Sequence, residues 1–318
     1  MQAALPAPGC FATPCQSGYF FTFSRLVLPS LATVFNTLLI FLVTMLVNGK
    51  QGNLIGIRDR GLLYGDGVFR TLRANQGKAQ HWLLHYQKLQ HDCTALGITC
   101  PEVALLSAEL NDLLKKHPNG VVKLIVTRGE GARGYAPPAC AEPTHLWDVS
   151  SFPEYPADWS MRGIKARLCQ LRLSQQPRLA GIKHLNRLEN VLAAAEWNDA
   201  KLTDLGIVEG LLQDIDGNVI EGTRSNLFLV SQGELITPDL SRSGVAGVQR
   251  DRVIAWSIQH NMPLKIRNVG LDEVLHADEL FVVNSIIGLW PIRELELRSW
   301  RDFPVSAQIR HSLDEQEA

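Results

Sequence analysis

Four short segments combine glycines with charged residues inside stretches that otherwise resemble strands or helix starts. They are Asp59–Thr71, Leu179–Asn190, Val219–Phe228 and Gly244–Arg250. The second places a lysine close after a glycine, and the fourth runs from glycines directly into a predicted helix. A lysine can act as a nucleophile towards carbonyl carbons, and the N–H groups at a helix start bind anions such as phosphate. The pattern therefore predicts a site that joins a reactive amine to an anion-binding helix start.

Lys183 is the candidate nucleophile. A lysine that attacks an aldehyde must be unprotonated, so burial or cationic neighbours must lower its pKa. The apolar run Leu179–Ile182 precedes it, which favours a buried position over an ordinary surface charge, the alternative for any single lysine.

Three other motifs suggest different chemistry. Gly129–Gly134 fits the pattern G-x-G-x-x-G, but Tyr135–Pro138 follows where a dinucleotide-binding loop needs a helix, so we exclude that function. Asp214–Asn218 resembles the start of a calcium loop, but its glycine comes early and the bidentate glutamate is missing, so a hairpin turn is the better interpretation. His81 and His85 are four residues apart on a predicted helix without a third ligand, so we interpret them as surface histidines and predict no metal.

The elements that must position these residues alternate between strands and helices. In the first half we predict helices at Gln80–Ala95 and from Pro101 onward, and strands at Val121–Thr127 and His145–Ser151. In the second half we predict strands at Gly163–Leu173, Leu205–Leu212, Asn226–Ser231, Leu264–Val269 and Glu279–Asn284, and helices over 188–195 and 247–260. We therefore expect a mixed α/β chain with a small domain at 45–152, a linker at 153–160 and a larger domain at 161–318.

Length and composition agree with this organisation. The 318 residues are enough for about two domains, and 46% hydrophobic with 20% charged residues is typical of a chain with a real core. A formal charge of −1 leaves no excess of cations for phosphate backbones, which excludes nucleic acid as an expected partner. Six cysteines without a C-x-x-C pair disfavour zinc ribbons and redox dithiols. A cytoplasmic protein is the expectation.

Residues 1–44 do not fit that expectation. The stretch from Leu26 to Gly49 has no charged residue and is long enough to span a bilayer, but Pro29, Asn36 and Thr37 interrupt it. Because Met45 begins a predicted strand, we expect residues 1–44 to be upstream sequence ahead of the true start. A signal anchor and a disordered extension are the alternatives, and a membrane protein is not expected.

The four segments, in this order, resemble the fold-type IV pyridoxal-phosphate enzymes, the class IV aminotransferase family. The similarity runs from Met45 to about Arg293. Within the family the chain is most similar to the aminodeoxychorismate lyases, in three phrases: Asp59-Arg60-Gly61 with Gly65-Asp66-Gly67, Thr127–Tyr135, and Gly181–Glu189. The resemblance implies a two-domain α/β fold like that of D-amino acid aminotransferase, with a small N-terminal α/β domain and a larger C-terminal, barrel-like mixed α/β domain.

The resemblance also implies roles around pyridoxal 5′-phosphate. Lys183 would bind the cofactor covalently and move the substrate proton, and Glu221 would keep the ring nitrogen protonated so that the ring can accept electrons. The alternative for Glu221 is a solvated acid in a turn. The phosphate would contact the start of a helix and one hydroxyl group, at Gly247, Val248, Gln249 and Ser285. The alternative for that glycine-bearing loop is the start of an ordinary helix.

One position departs from the family. Where relatives place a phosphate-binding arginine, this chain has Lys88, which keeps the charge but loses the bidentate fork, or which is simply an exposed helix lysine. Thr71 is a candidate proton relay or a buried strand threonine.

The reaction is less closely determined than the cofactor. The resemblance to the lyases implies cleavage of aminodeoxychorismate to 4-aminobenzoate and pyruvate, for folate biosynthesis. An aminodeoxychorismate synthase would supply the substrate. That substrate has two carboxylates, for which Arg133, Tyr135 and Arg73 are candidate partners, or surface residues. The alternatives are a class IV transaminase for branched-chain or D-amino acids and a non-catalytic carrier of the cofactor. Family resemblance implies a homodimer.

Overall fold

The structure is a computed structural model that describes residues 45–197 and 206–315. A smaller sheet of six strands comes first, in the order β2-β1-β6-β5-β3-β4, with every pair antiparallel. The strands are β1 (Met45–Val47), β2 (Lys50–Gln51), β3 (Gly67–Asn75), β4 (Lys78–Ala79), β5 (Gly120–Thr127) and β6 (Thr144–Ser150). β3 pairs with β5 from Gly67 opposite Thr127 to Ala74 opposite Gly120, which fixes the register of β3 along nearly its whole length.

Three helices accompany this sheet: α1 (Arg60–Tyr64), α2 (Trp82–Leu96) and α3 (Val103–Lys116). Side chains of a strand alternate between its two faces, and Val68 and Leu72 of β3 are fully buried, whereas Phe69 and Thr71 between them are half-buried. Val68 and Leu72 belong to one core cluster with Leu89 of α2. Burial of one such leucine contributes roughly 1.5–3 kcal/mol. The packing of α2 therefore fixes which face of β3 is left for Phe69 and Thr71.

In the part of the chain that the structure describes, the larger sheet has nine strands. They are β7 (Ile164–Leu173), β8 (Ile207–Asp214), β9 (Val219–Gly222), β10 (Asn226–Ser231), β11 (Glu234–Pro238), β12 (Leu264–Arg267), β13 (Glu279–Asn284), β14 (Gly288–Leu295) and β15 (Arg298–Ser299). Asn226 of β10 pairs with Glu221 of β9, and this closes β10-β13-β14-β7-β8-β9 into a barrel. Closure leaves these strands without a free edge.

The other helices within residues 45–197 and 206–315 are α4 (Trp159–Arg162), α5 (Leu188–Ala195), α6 (Val248–Gln259), α7 (Leu271–His276) and α8 (Pro304–Glu315). Val253 of α6 and Ile309 of α8 pack with Phe228 and Phe281, whose stacked rings lie 5.2 Å apart between centroids. This cluster anchors α6 to the barrel and so sets the position of its first turn.

The expected fold is confirmed: a small N-terminal sheet with helices precedes a larger barrel-like α/β unit. The predicted strands Asn226–Ser231 and Glu279–Asn284 have the observed limits. β9 was not predicted, because four residues are too few to show an alternating pattern.

The domain limits 45–152, 153–160 and 161–318 stay predictions. The stretch between β6 and α4 contains no helix or strand. Residues 1–44 lie outside the described residues. Among the helices of 45–197 and 206–315, none is both long and apolar enough to cross a membrane.

Candidate active site

A cavity of about 440 Å³ lies where the smaller sheet meets the barrel, and we call it the site cavity. Phe69 and Thr71 of β3 line it from the smaller sheet. Lys183, from the connection between β7 and α5, and Glu221 of β9 line it from the larger unit. All four segments singled out in the sequence contribute lining residues, including those at the start of α6 and around β9. The long-range pairing of the sheets therefore brings together residues up to about two hundred positions apart.

The backbone of Lys183 and Leu185 is hydrogen-bonded to β3. The Lys183 carbonyl oxygen accepts the N–H of Phe69 at 3.0 Å, and the N–H of Leu185 donates to the Gly67 carbonyl oxygen at 2.9 Å. The N–H of Lys183 donates to Asp92 Oδ2 at 2.9 Å. Gly181, at φ +77°, makes the turn that delivers the lysine, a conformation in which other residues would be strained. Lys183 is thus held rigidly by backbone contacts while its amine remains free to act.

The surroundings of Lys183 favour the neutral amine. Burial lowers its pKa to about 8, and the positive charges of Arg70 and Arg187 act in the same direction, while Glu221 and Asp92 oppose them. The Nζ atom lies 4.5 Å from the centre of the Phe69 ring. An amine of this kind is a better nucleophile and proton acceptor near neutral pH than an ordinary lysine.

Glu221 is a buried acid on the wall of the site cavity. Its Oε2 accepts the N–H of Val245 at 2.8 Å. Burial raises its pKa to about 7, against the opposing effects of that hydrogen bond, Arg187 and Lys183. A Cβ on Gly244 would lie 2.7 Å from Leu240 and 2.8 Å from Ile220, so only glycine allows this loop to approach the acid. Glu221 can therefore share a proton with a basic nitrogen placed in the cavity.

The start of α6 has the geometry that can bind an anion. Gly247 caps the helix, and its N–H donates to Asn226 Oδ1 at 3.2 Å. Val248 and Gln249 lie in the first turn, where backbone N–H groups point towards the helix start and the helix dipole adds positive character. Ser285 lines the same cavity in the turn after β13.

Not every predicted site residue lines the site cavity. Lys88 does not, because its Nζ contacts Asp251 Oδ2 at 2.6 Å. Arg73 lines a neighbouring pocket, where its Cζ atom lies 5.0 Å from the centre of the Phe152 ring. Arg133 and Tyr135 are exposed outside the cavity, so within one chain they contact nothing in it. Their roles stay predictions.

The interpretation of His85 as a surface histidine was wrong. His85 is 3% exposed and lines the site cavity together with Arg70. Neither residue was predicted from the sequence to belong to the site. Burial, helped by the charge of Arg70, lowers the pKa of His85 to about 3, so the imidazole is neutral. A signal was present: His85 and Asp92 share the helical stripe of Trp82 and Leu89, and Arg70 falls on the buried side of β3.

Arg187 was also missed. It lines the cavity, and its Nη2 donates to the Ile182 carbonyl oxygen at 3.1 Å, while its Nε donates to the His184 carbonyl oxygen at 2.9 Å. These bonds hold the backbone on both sides of Lys183. Arg224 is a further cation of the cavity wall.

The donor set fits pyridoxal phosphate. Lys183 provides an amine for the aldehyde, Glu221 an acid for the ring nitrogen, and the start of α6 donors for the phosphate. In addition, Arg70 Nε and His85 Nδ1 are buried at the cavity wall without hydrogen-bond partners, as expected where a polar ligand belongs.

Comparisons with known proteins agree with this geometry. Residues 67–295 match the family model for class IV amino-transferases. The chain is 34% identical to an aminodeoxychorismate lyase of Vibrio harveyi, over 83% of this chain and 96% of the relative. It is 25% identical to a D-alanine aminotransferase of Bacillus licheniformis, over 76% of this chain and 83% of the relative. The structure superposes on that of 4-amino-4-deoxychorismate lyase from Pseudomonas aeruginosa with a TM-score of 0.81 and 43% identity, over 85% of this chain and 98% of the other. The chain therefore belongs to the class IV aminotransferase family, whose cofactor is pyridoxal phosphate.

Proposed function

We propose that this protein is a pyridoxal-phosphate-dependent lyase that converts 4-amino-4-deoxychorismate into 4-aminobenzoate and pyruvate, in folate biosynthesis. The observation that carries the proposal is the similarity to the Pseudomonas aeruginosa lyase, 43% identical over 98% of that chain, together with Lys183 and Glu221 on one cavity. An aminodeoxychorismate synthase would supply the substrate.

The residues of the cavity divide the chemistry between them. When bound, pyridoxal phosphate withdraws electrons from the carbon that carries the substrate amine. Lys183 Nζ then takes the proton from that ring carbon, which its low pKa allows near neutral pH. Glu221 holds a proton against the ring nitrogen through its buried carboxyl group. Thr71 lines the same wall and is our candidate for relaying a proton.

The cavity also suits an anionic substrate. Aminodeoxychorismate carries two carboxylates, and charge-assisted hydrogen bonds to arginine are the strong way to bind them. Arg187 and Arg224 line the site cavity, and Arg73 lies in the pocket beside it. These cations, with Arg133 and Tyr135 of the loop, are our proposed substrate-binding residues.

We further propose a homodimer that works in the cytoplasm. The apolar face of α5 is exposed in the single chain, at 74% for Leu188, 60% for Val191 and 59% for Leu192, and exposed apolar faces of this kind commonly bury against a partner. The loop with Arg133 is held outside the cavity, because the Arg60 guanidinium donates to the carbonyl oxygens of Gly134 at 3.0 Å and Tyr135 at 2.8 Å. In a homodimer such a loop can serve the partner's cavity.

The test separates the lyase from a transaminase, the second candidate, which the D-alanine aminotransferase relative supports. Purified enzyme is given aminodeoxychorismate with no 2-oxo acid, and pyruvate and 4-aminobenzoate are followed together. The lyase releases both in equal amounts over many turnovers. A transaminase releases neither product but moves the substrate amine onto its cofactor once, and it turns over only when a 2-oxo acid is added. A carrier protein without activity gives neither product and leaves the substrate amine in place.

A further inference from the structure

Arg70 is a buried cation that the proposed chemistry leaves unused. It follows Phe69 on β3 and lies on the side of Val68 and Leu72, with only 2% of its surface exposed. Its Nη2 forms a salt bridge with Asp92 of α2, which is 1% exposed. Burying two charges costs free energy, and one pair does not usually repay that cost unless their other donors and acceptors are also satisfied.

The pair does not satisfy all of them. Asp92 is well used, since its Oδ2 also accepts the N–H of Lys183 at 2.9 Å. Arg70 is not, because its Nε has no hydrogen-bond partner although it is completely buried, and Nδ1 of the neighbouring His85 is in the same state. Both side chains line the site cavity. An unsatisfied buried donor facing a cavity indicates a ligand acceptor there.

Lys88, the cation expected at the phosphate, forms a salt bridge with Asp251 instead. Its Nζ lies 2.6 Å from Asp251 Oδ2, and Lys88 is absent from the cavity wall. Asp251 belongs to the first turn of α6, and its charge also acts on Arg70. Arg70 lines the same cavity as Gly247, Val248 and Gln249 at that helix start, whose N–H groups can face an anion.

We propose that Arg70 binds the phosphate of the cofactor opposite the first turn of α6, in place of Lys88. Asp92 holds the guanidinium by Nη2 and leaves Nε to donate to a phosphate oxygen. The proposal rests on pyridoxal phosphate occupying the site cavity, but not on which amine the enzyme cleaves.

Two ligands that differ only in the phosphate test this. The binding of pyridoxal phosphate and of pyridoxal to the apoenzyme is titrated by absorbance for the wild type, Arg70→Gln and Lys88→Met. From the usual strength of a charge-assisted hydrogen bond, we expect Arg70→Gln to weaken the binding of pyridoxal phosphate about 10- to 100-fold. The affinity for pyridoxal should change by less than about threefold. Lys88→Met, the matched loss of a cation on the same side of α6, leaves the ratio of the two affinities within about threefold of the wild type.

Removing Arg70 alone leaves the Asp92 carboxylate buried without its partner, so the variant can fail to fold. The double variant Arg70→Gln/Asp92→Asn removes both charges and keeps an oxygen for the Lys183 N–H, and it should show the same selective loss. An equal loss of affinity for both ligands, or a phosphate-selective loss in Lys88→Met, would overturn the proposal. A wild type that binds neither ligand would instead contradict the cofactor assignment, while a failure of the lyase assay alone would leave Arg70 untouched.

Discussion

Glu221→Gln should make the apoenzyme more stable at alkaline pH while it impairs catalysis. The carboxyl group is 3% exposed, and its pKa in the folded protein is about 7 instead of the ordinary 4.5. A carboxyl whose folded-state pKa is raised favours the folded state below pH 4.5, and this advantage is lost as pH rises towards 7. At ~1.36 kcal/mol per pKa unit, the loss is about 3 kcal/mol, of which about 2.5 kcal/mol falls between pH 5 and pH 8.

Glutamine removes this pH dependence. Its carboxamide oxygen can still accept the Val245 N–H, so the local structure has a reason to persist. Relative to the wild type, the unfolding free energy of the variant apoenzyme should therefore rise by about 2–3 kcal/mol between pH 5 and pH 8. Urea unfolding at the two pH values measures this, with Glu154→Gln as a control on an exposed acid.

Activity should move in the opposite direction. A neutral amide cannot hold the ring nitrogen of the cofactor protonated, so turnover of the holoenzyme should fall strongly while the cofactor stays bound. A difference in unfolding free energy that does not change with pH would refute the buried, high-pKa state of Glu221. Unchanged turnover would mean that another group holds the proton.

Three further predictions concern the amine and the substrate. Lys183→Ala should abolish turnover without loss of the folded state, as circular dichroism and product assays would show; residual turnover would remove Lys183 from the mechanism. In the wild-type apoenzyme, the rate of reaction with pyridoxal should be half-maximal near pH 8, because the pKa of Lys183 is lowered to about 8. At pH 7 the neutral fraction of Lys183 is then roughly 300 times that of a lysine with the ordinary pKa of 10.5. A midpoint above pH 10 would contradict the lowered pKa. Arg133→Ala should lower kcat/KM about ten- to a hundredfold, and Arg133→Lys should recover only part of the lost kcat/KM. If the loop serves the partner's cavity, dimers mixed from Arg133→Ala and Lys183→Ala chains should regain about a quarter of wild-type activity. Wild-type kinetics for Arg133→Ala would exclude Arg133 from the site.

The residues with local signatures could be predicted from the sequence. Lys183 stands in a specific phrase after a glycine, and Glu221 follows a turn signal at Gly217, so each is recognisable within about ten residues. The start of α6 is visible for the same reason, since a glycine runs directly into an amphipathic helix.

Which of the two cations lines the site cavity, Arg70 or Lys88, could not be predicted in this way. Lys88 matches the family position in the sequence, but which cation faces the cavity depends on whether Asp251 of α6 or Asp92 of α2 competes for it. Those contacts join elements far apart in the chain, and no local pattern encodes them. The polar residues Arg70, His85 and Asp92 on apolar faces were the available signal, because burying such groups requires a partner.

The proposed function depends most directly on which lysine binds the cofactor. Holoenzyme treated with borohydride fixes the pyridoxyl group on that lysine, and peptide mapping by mass spectrometry locates it. We expect the pyridoxyl group on the peptide that contains Lys183, and we expect no group at that position in Lys183→Ala. A pyridoxyl group found instead on Lys88, or on any other lysine of the wild type, would contradict the proposed function.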